Sequence, residues 1–108
     1  MDNKFLGDKY MTIGIKNELP AVIVILLWAL VEERKTNNNP NIPLDYPQIF
    51  EINTIYENGE EFLEIIHRQE ISELKERHVL ANIPKIGNRK IYVIDEERYV
   101  IMMLGEEY

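Results

Sequence analysis

The chain has 108 residues, a length that predicts one domain spanning residues 1–108 around one hydrophobic core. Its formal net charge of −7 at pH 7 repels phosphate backbones and anionic membrane surfaces. The composition therefore argues against direct nucleic-acid binding and membrane association, and it permits a basic protein partner. The sequence contains no cysteine, which excludes disulfides, thiolate zinc sites and a cysteine nucleophile. Cytoplasmic residence is the simplest expectation.

The N-terminal part of the chain predicts little regular structure. Residues 1–9 are polar, and we expect them to form a loose segment. Residues 10–15 alternate weakly between polar and apolar side chains, which predicts a short edge strand. Gly14 would mark a bulge or a close backbone approach in that strand.

The most hydrophobic stretch runs from Ala21 to Val31 and contains no polar residue. Its β-branched residues favour a strand, but its length and flanks favour a helix, because Asn17 is a good N-cap and Pro20 suits the first turn. We predict a helix over residues 18–35. Because this helix is apolar almost all round, we expect it to be buried on more than one side, by the chain itself or by a second subunit. The run is too short for a membrane span.

The remaining chain favours strands. Residues 46–56, 89–94 and 99–104 are predicted strands, and Asn58-Gly59 predicts a hairpin turn. Residues 61–70 fit a helix or a strand, and the preceding turn favours the strand. Residues 71–82 have a helix-like composition, yet we expect an extended segment. The sum predicts an α+β fold with one main apolar helix packed on a mostly antiparallel sheet of about five strands.

The densest polar cluster is formed by His67, Arg68, Gln69 and Glu70. His67 and Glu70, with His78 on a neighbouring strand, could hold a metal or perform acid–base chemistry, although no third ligand is evident. Alternatively, His67 forms a hydrogen bond within the sheet and Arg68 pairs with a nearby carboxylate. We expect no catalytic residue, resident metal or cofactor.

Other residues could contact a partner because of the size or the charge of their side chains. Trp28 could anchor an interface or lie partly in the core. The acidic pair Glu96 and Glu97 could meet a cation or lie in an exposed turn. The C-terminal residues Glu106, Glu107 and Tyr108 could form a docking peptide or a solvated terminus.

Several blocks of residues, in this order, carry a resemblance to a known family. They are Tyr10-Met11-Thr12, Gly14-Ile15, Pro20, Leu27-Trp28, Asp45-Tyr46, Gln48-Ile49-Phe50-Glu51, His67-Arg68-Gln69-Glu70, Ile91-Tyr92-Val93-Ile94-Asp95, Met102-Met103-Leu104 and Glu106-Glu107-Tyr108. The chain resembles the domain-of-unknown-function family numbered 960, first described from staphylococci. The resemblance implies a small cytosolic protein of Gram-positive bacteria, often carried on phages and other mobile elements. It supplies no established activity and no catalytic residue.

These observations lead to three hypotheses of function. The first is a small acidic, non-enzymatic protein-binding accessory factor of a phage or mobile element, which could inhibit a host nucleic-acid-handling enzyme by docking on its basic cleft. The second is a small metal-dependent enzyme or ligand-binding module that uses His67, Glu70 and His78. The third is a structural homodimer that associates through the helix face or a sheet edge.

Overall fold

A computed structural model describes residues 4–36, 41–81 and 86–108. Strand β1 and helices α1 and α2 come first, and five strands and a short 3-10 turn follow. The elements are β1 (Asp8–Met11), α1 (Ile13–Glu18), α2 (Ala21–Thr36), β2 (Pro47–Glu57), β3 (Glu60–Gln69), β4 (Leu74–Ala81), β5 (Arg89–Asp95), β6 (Tyr99–Leu104) and η1 (Gly105–Glu107).

The strands form one sheet in the order β1-β6-β5-β2-β3-β4. Every neighbouring pair is antiparallel except β1 and β6, which run parallel. The predicted α+β class and mainly antiparallel pairing are confirmed, but the sheet has six strands rather than about five. The difference comes from β4, whose helix-like composition is overridden by pairing along the length of β3.

The hairpin between β2 and β3 follows the prediction from Asn58-Gly59. Both residues have positive φ, at 52° and 79°, as the two central residues of a tight hairpin turn require. Asparagine and glycine tolerate this region with little strain. The turn fixes the register of the longest strand pair in the sheet.

The region from residue 10 to residue 20 departs from the prediction. The strand ends at Met11, and Thr12 caps α1 by accepting a 3.2 Å hydrogen bond from the Ile15 N–H. Gly14 therefore lies in a helix and not at a strand bulge. Helix α2 begins only at Ala21, and the Pro20 carbonyl accepts the N–H groups of Ile23 and Val24. Pro20 thus precedes the first turn, where no helical N–H is lost.

The core lies between α2 and one side of the sheet. The buried residues of α2 form one cluster with those of the strands, including Phe50, Ile52, Leu63, Ile65, Ile91 and Val93. We call this side of the sheet the helix-side face. The alternate strand residues, among them Ile49, Glu51, Arg68, Tyr92 and Met103, form the opposite side, which we call the open face.

Helix α2 is buried on one side only within the described part of the chain. Val22 and Ile25, on the side away from the sheet, are 55% and 67% exposed. The expectation that this helix is covered on more than one side is therefore not met by the single chain. Neither described helix has the length and apolar character needed to cross a bilayer.

Part of the N-terminal segment, which was expected to be loose, packs against the rest of the fold. Phe5 is buried, and its N–H donates a 2.8 Å hydrogen bond to the Asp95 carboxylate. Gly7 lies so close to the backbone of Arg98 and Tyr99 that a Cβ would collide with it. Phe5 and Gly7 thus contact the rest of the fold, and residues 1–3 of the segment expected to be loose lie outside the described residues.

Candidate functional site

The His67–Glu70 block divides between the two faces of the sheet. His67 and Gln69 lie opposite Phe50 and Gln48 on the helix-side face, where both are buried. Arg68 lies opposite Ile49 on the open face, and the exposed Glu70 follows the end of β3. The four side chains therefore do not form one accessible cluster.

His67 belongs to a buried hydrogen-bonded network that includes an arginine from α2. The Arg34 side chain is 3% exposed, and its guanidinium donates to Gln48 Oε1 over 2.9 Å and to the His67 carbonyl over 3.1 Å. It also pairs with Glu76 of β4 at 2.7 Å. This arginine fastens the end of α2 to three strands of the sheet.

Gln48 connects this arginine to two loops. Its Nε2 donates to the Asp45 carbonyl over 2.9 Å and to Gln69 Oε1 over 2.7 Å. Gln69 Nε2 in turn donates to the carbonyls of Pro43 and Ser72. The Asp45 carboxylate accepts the N–H groups of Ile71 and Ser72. The network thus joins the segment before β2 to the turn after β3.

The same contacts fix the protonation state of His67. Since Gln48 Nε2 donates twice, Gln48 Oε1 is the acceptor for His67 Nε2 at 2.7 Å, so that nitrogen carries the hydrogen. Burial, together with the charges of Arg34 and His78, lowers the pKa of His67 to about 2. The neutral ring stacks on Phe50, with centroids 4.2 Å apart, and is 1% exposed. His67 therefore cannot reach a substrate in this conformation.

The metal hypothesis finds no ligand set in the described part of the chain. His67 and His78 lie on the same face of adjacent strands, offset by two pairs in the register. Among the described residues, no group of three or more His, Asp and Glu side chains could hold a metal ion. Glu70 lies beyond the end of β3, away from His78.

Arg68 and Arg77 neutralise part of the acidity on the open face. Arg68 pairs with Glu51 at 3.0 Å and with Glu70 at 3.3 Å, and these contacts raise its pKa in spite of its partial burial. Arg77 pairs with Glu64 at 2.7 Å, which lowers the pKa of Glu64. Exposed ion pairs of this kind contribute little to stability.

The acidic candidates lie in two separate places. Glu96 and Glu97 are exposed in the turn before β6, whereas Glu106 and Glu107 follow its end. The strand between them is six residues long, which corresponds to about 20 Å. The four carboxylates therefore do not form one continuous acidic patch.

Glu107 has a structural role at the C-terminal end. Its Oε1 accepts the Leu104 N–H at 2.8 Å and the Thr12 hydroxyl at 2.7 Å. A Cβ on Gly14 would lie 2.8 Å from Glu107 Oε2, so only glycine leaves room for this carboxylate. The contact links the two termini of the chain through α1 and η1.

The open face presents tyrosines to solvent. Five of the six tyrosines lie on or over this side of the sheet, and we call this surface the tyrosine face, formed by Tyr10, Tyr46, Tyr92, Tyr99 and Tyr108. Tyr10 is 54% exposed and meets Tyr99 edge to face, with centroids 5.9 Å apart. Half-buried Ile101 and Met103 lie between the tyrosines on β6. No described helix covers this face.

The C-terminal residue completes the tyrosine face. Tyr108 lies over Tyr92, with centroids 4.4 Å apart, and remains 60% exposed. A hydrogen bond with Tyr46 raises the pKa of Tyr108, and the nearby charge of Glu70 acts in the same direction. Trp28, by contrast, lies on α2, on the other side of the sheet, where it is half-buried against the core.

Sequence reasoning missed Arg34, Gln48 and the other four members of the tyrosine face. Arg34 carried a signal, because it follows Leu30 by one helical turn and so continues the buried stripe of α2. The tyrosines carried no local signal, because β5 and β6 each contain a single tyrosine and the shared face becomes visible only when the neighbouring strands are known.

The fold defines a small α+β protein with one main helix packed on a mixed six-stranded sheet. The chain belongs to the family described as "Staphylococcal protein of unknown function (DUF960)", whose model matches residues 8–107. Among solved structures, it is similar to a protein of unknown function from Enterococcus faecalis, with a TM-score of 0.74 and 18% identity. That match covers 100% of this chain and 98% of the other and shows a shared fold. No curated protein matches the sequence.

Proposed function

We propose that the protein is a non-enzymatic binding factor that holds a protein partner on the tyrosine face. The observation that carries this proposal is the solvent exposure of Tyr10, Tyr99 and Tyr108 on a sheet face that no described helix covers. Tyrosine gives a large, rigid contact area at a low entropic cost and places a hydroxyl at its edge, which explains its enrichment at protein interfaces. Contiguous exposed apolar surface on a small protein commonly marks such an interface.

The chemistry of the described residues favours binding over catalysis. The histidine of the densest polar cluster is inaccessible, and every hydrogen bond described for Gln48 and Gln69 holds elements of the fold together. The proposal is specific about the surface and leaves the identity of the partner to experiment.

Capture from a staphylococcal lysate tests the proposal. The immobilised full chain is compared with a double variant, Tyr10→Ser with Tyr99→Ser, and with Tyr56→Ser as the matched control. Tyr56 is 69% exposed but lies outside the tyrosine face. We expect a stoichiometric partner, identified by mass spectrometry, on the wild type and the control but not on the double variant. Equal retention by all three proteins would refute the use of this face.

A more specific version makes the protein an accessory factor of a phage or mobile element. In this version an acidic surface docks on a host nucleic-acid-handling enzyme. The net charge of −7 and the basic clefts of such enzymes support it. The salt dependence of partner binding distinguishes acidic docking from the general proposal. A partner released at high salt and lost on charge reversal at Glu96, Glu97 and Glu106 would support acidic docking. Retention through both changes would remove this version and leave the tyrosine face as the binding surface.

A further inference from the structure

The side of α2 that points away from the sheet is apolar over its first three turns. Ala21, Val22, Ile25 and Ala29 are exposed there, and half-buried Leu26 and Trp28 lie at its two margins. We call this surface the outer helix face. It is distinct from the tyrosine face, since α2 packs against the opposite side of the sheet.

The spacing on the outer helix face suits contact with another helix. Val22, Ile25 and Ala29 follow one another by three and then four residues, which is the spacing of the apolar seam between paired helices. Singly exposed apolar residues are ordinary on a protein surface, whereas these three follow one line along the 16-residue helix. No described element of the chain lies against this seam.

We propose that the outer helix face is occupied by a second copy of this chain, with the two α2 helices antiparallel about a two-fold axis near Leu27. In this arrangement Ile25 of each copy lies opposite Ala29 of the other. A bulky side chain thus meets a small one twice, because a two-fold interface repeats each contact. At the two margins, Leu26 of one copy lies beside Leu26 of the other, and Trp28 lies beside Trp28, because the two-fold axis keeps each margin on its own side.

Charge selects the antiparallel arrangement. The last turns of the outer helix face carry Glu32 and Glu33, whereas the first turn of α2 carries no acidic residue. Glu32 already pairs with Lys9 and Lys35, but Glu33 is exposed and forms no ion pair with a described residue. Antiparallel packing places Glu33 beside the positive N-terminal end of the other α2, whereas parallel packing would place it beside another Glu33.

The molar mass of the full chain in solution, measured by light scattering over a concentration series, tests this proposal. The test variant is Ile25→Glu, and the matched control is Ile71→Glu, since Ile71 is 80% exposed in the turn before β4. We expect a dimer for the wild type and the control and a monomer for Ile25→Glu. Circular dichroism and the thermal midpoint of each variant at low concentration show that the fold is retained.

Trp28 gives an independent readout, because it is the only tryptophan and lies at the margin of the outer helix face. Its emission should shift to shorter wavelength as the wild type is concentrated, and it should not shift in Ile25→Glu. The Glu33→Lys variant should associate roughly two- to fivefold more weakly, as expected for a charge at a helix terminus.

Four results would overturn the proposal. The first is a monomeric wild type at every concentration. The second is a dimer that survives Ile25→Glu, and the third is tighter association of Glu33→Lys, which would contradict the antiparallel arrangement. Loss of the dimer in Tyr10→Ser with Tyr99→Ser would instead move self-association to the tyrosine face. Partner capture and self-association are thus tested on separate faces, and each can fail without the other.

Discussion

Arg34 and Gln48 meet 2.9 Å apart in the interior, with the guanidinium of one donating to the amide oxygen of the other. The Gln48 amide oxygen also accepts from His67, and the amide nitrogen donates to Gln69. Gln48 therefore connects α2 with β3, with the segment before β2 and with the turn after β3. The position of α2 therefore depends on a polar contact as well as on apolar packing.

Replacing Gln48 with leucine should destabilise the protein strongly. The substitution removes one hydrogen bond each from Arg34, His67 Nε2 and Gln69 Oε1 in the buried interior. Each buried group left without its hydrogen bond costs about 1–3 kcal/mol. We expect the free energy of unfolding, measured by urea denaturation, to fall by about 3 kcal/mol or more.

The matched control is Glu51→Gln, which removes the half-exposed ion pair with Arg68 and should cost less than about 1 kcal/mol. A Gln48→Leu variant as stable as this control would mean that the buried network is energetically neutral.

Stability should fall as the pH is lowered through the range in which histidine titrates in the unfolded chain. The pKa of His67 is lowered from 6.5 to about 2 in the folded state, so below pH 6.5 only the unfolded chain takes up this proton. The free energy of unfolding should therefore drop by about 1.4 kcal/mol per pH unit between about pH 6 and pH 5. The acidic groups whose pKa values are lowered, Glu32 and Glu64, contribute only as the pH approaches their ordinary value of 4.5.

Urea unfolding at a series of pH values checks this prediction, with His67→Gln and His78→Gln compared at each pH. The slope should vanish in His67→Gln, which cannot take up the proton, and persist in His78→Gln. An unchanged slope in His67→Gln would assign the pH dependence to another group.

Gly14→Ala should destabilise the protein, although alanine normally favours a helix by about 1 kcal/mol. The new Cβ would lie 2.8–2.9 Å from the Glu107 carboxylate oxygens and 2.9 Å from Leu104 Cδ1, so the carboxylate must leave Thr12 and the Leu104 N–H. The expected cost is about 1–2 kcal/mol.

A double-mutant cycle with Glu107→Ala isolates the coupling. Gly14→Ala should cost less in the Glu107→Ala background, because the displaced hydrogen bonds are already absent. Strict additivity of the two substitutions would show that the carboxylate does not mediate the effect.

Gly59→Ala should cost about 1 kcal/mol through backbone strain alone. Gly59 has φ of 79°, and a Cβ there would meet nothing within 4 Å, so no steric contact contributes. Gly59→Asn is the matched variant, since asparagine tolerates positive φ, and it should retain most of the stability in a thermal melt. Equal losses in the two variants would contradict a conformational cause.

Local signals predicted those parts of the fold that depend on neighbours in sequence. Asn58-Gly59 predicted the β2–β3 hairpin. The uninterrupted apolar run predicted a helix over residues 18–35, and α2 spans Ala21–Thr36. The boundary between β1 and α1 was not predictable, because the acceptor of the Thr12 hydroxyl bond comes from Glu107, 95 residues away.

The site was less predictable than the fold for the same reason. Helical spacing places Arg34 on the buried stripe of α2, but the sequence does not show that its partners Gln48, His67 and Glu76, on three different strands, meet it there. The block from His67 to Glu70 stands out in the sequence as the densest polar cluster, but its role depends on the face of the sheet on which each side chain lies. The tyrosine face exists only once β1, β5 and β6 lie side by side.

The parallel pairing of β1 with β6 has a consequence for synthesis of the protein. Among the described strands, β1 emerges well before its partner β6, so it has no place in the sheet until residues 99–104 have emerged. Helix α2 is also made before every strand except β1 of the sheet that covers it. The nascent chain must therefore carry its most hydrophobic segment uncovered until the strands that pack against it have emerged, a period in which association with a chaperone or aggregation competes with folding. Truncation before Tyr99 should accordingly yield an insoluble product rather than a smaller folded domain.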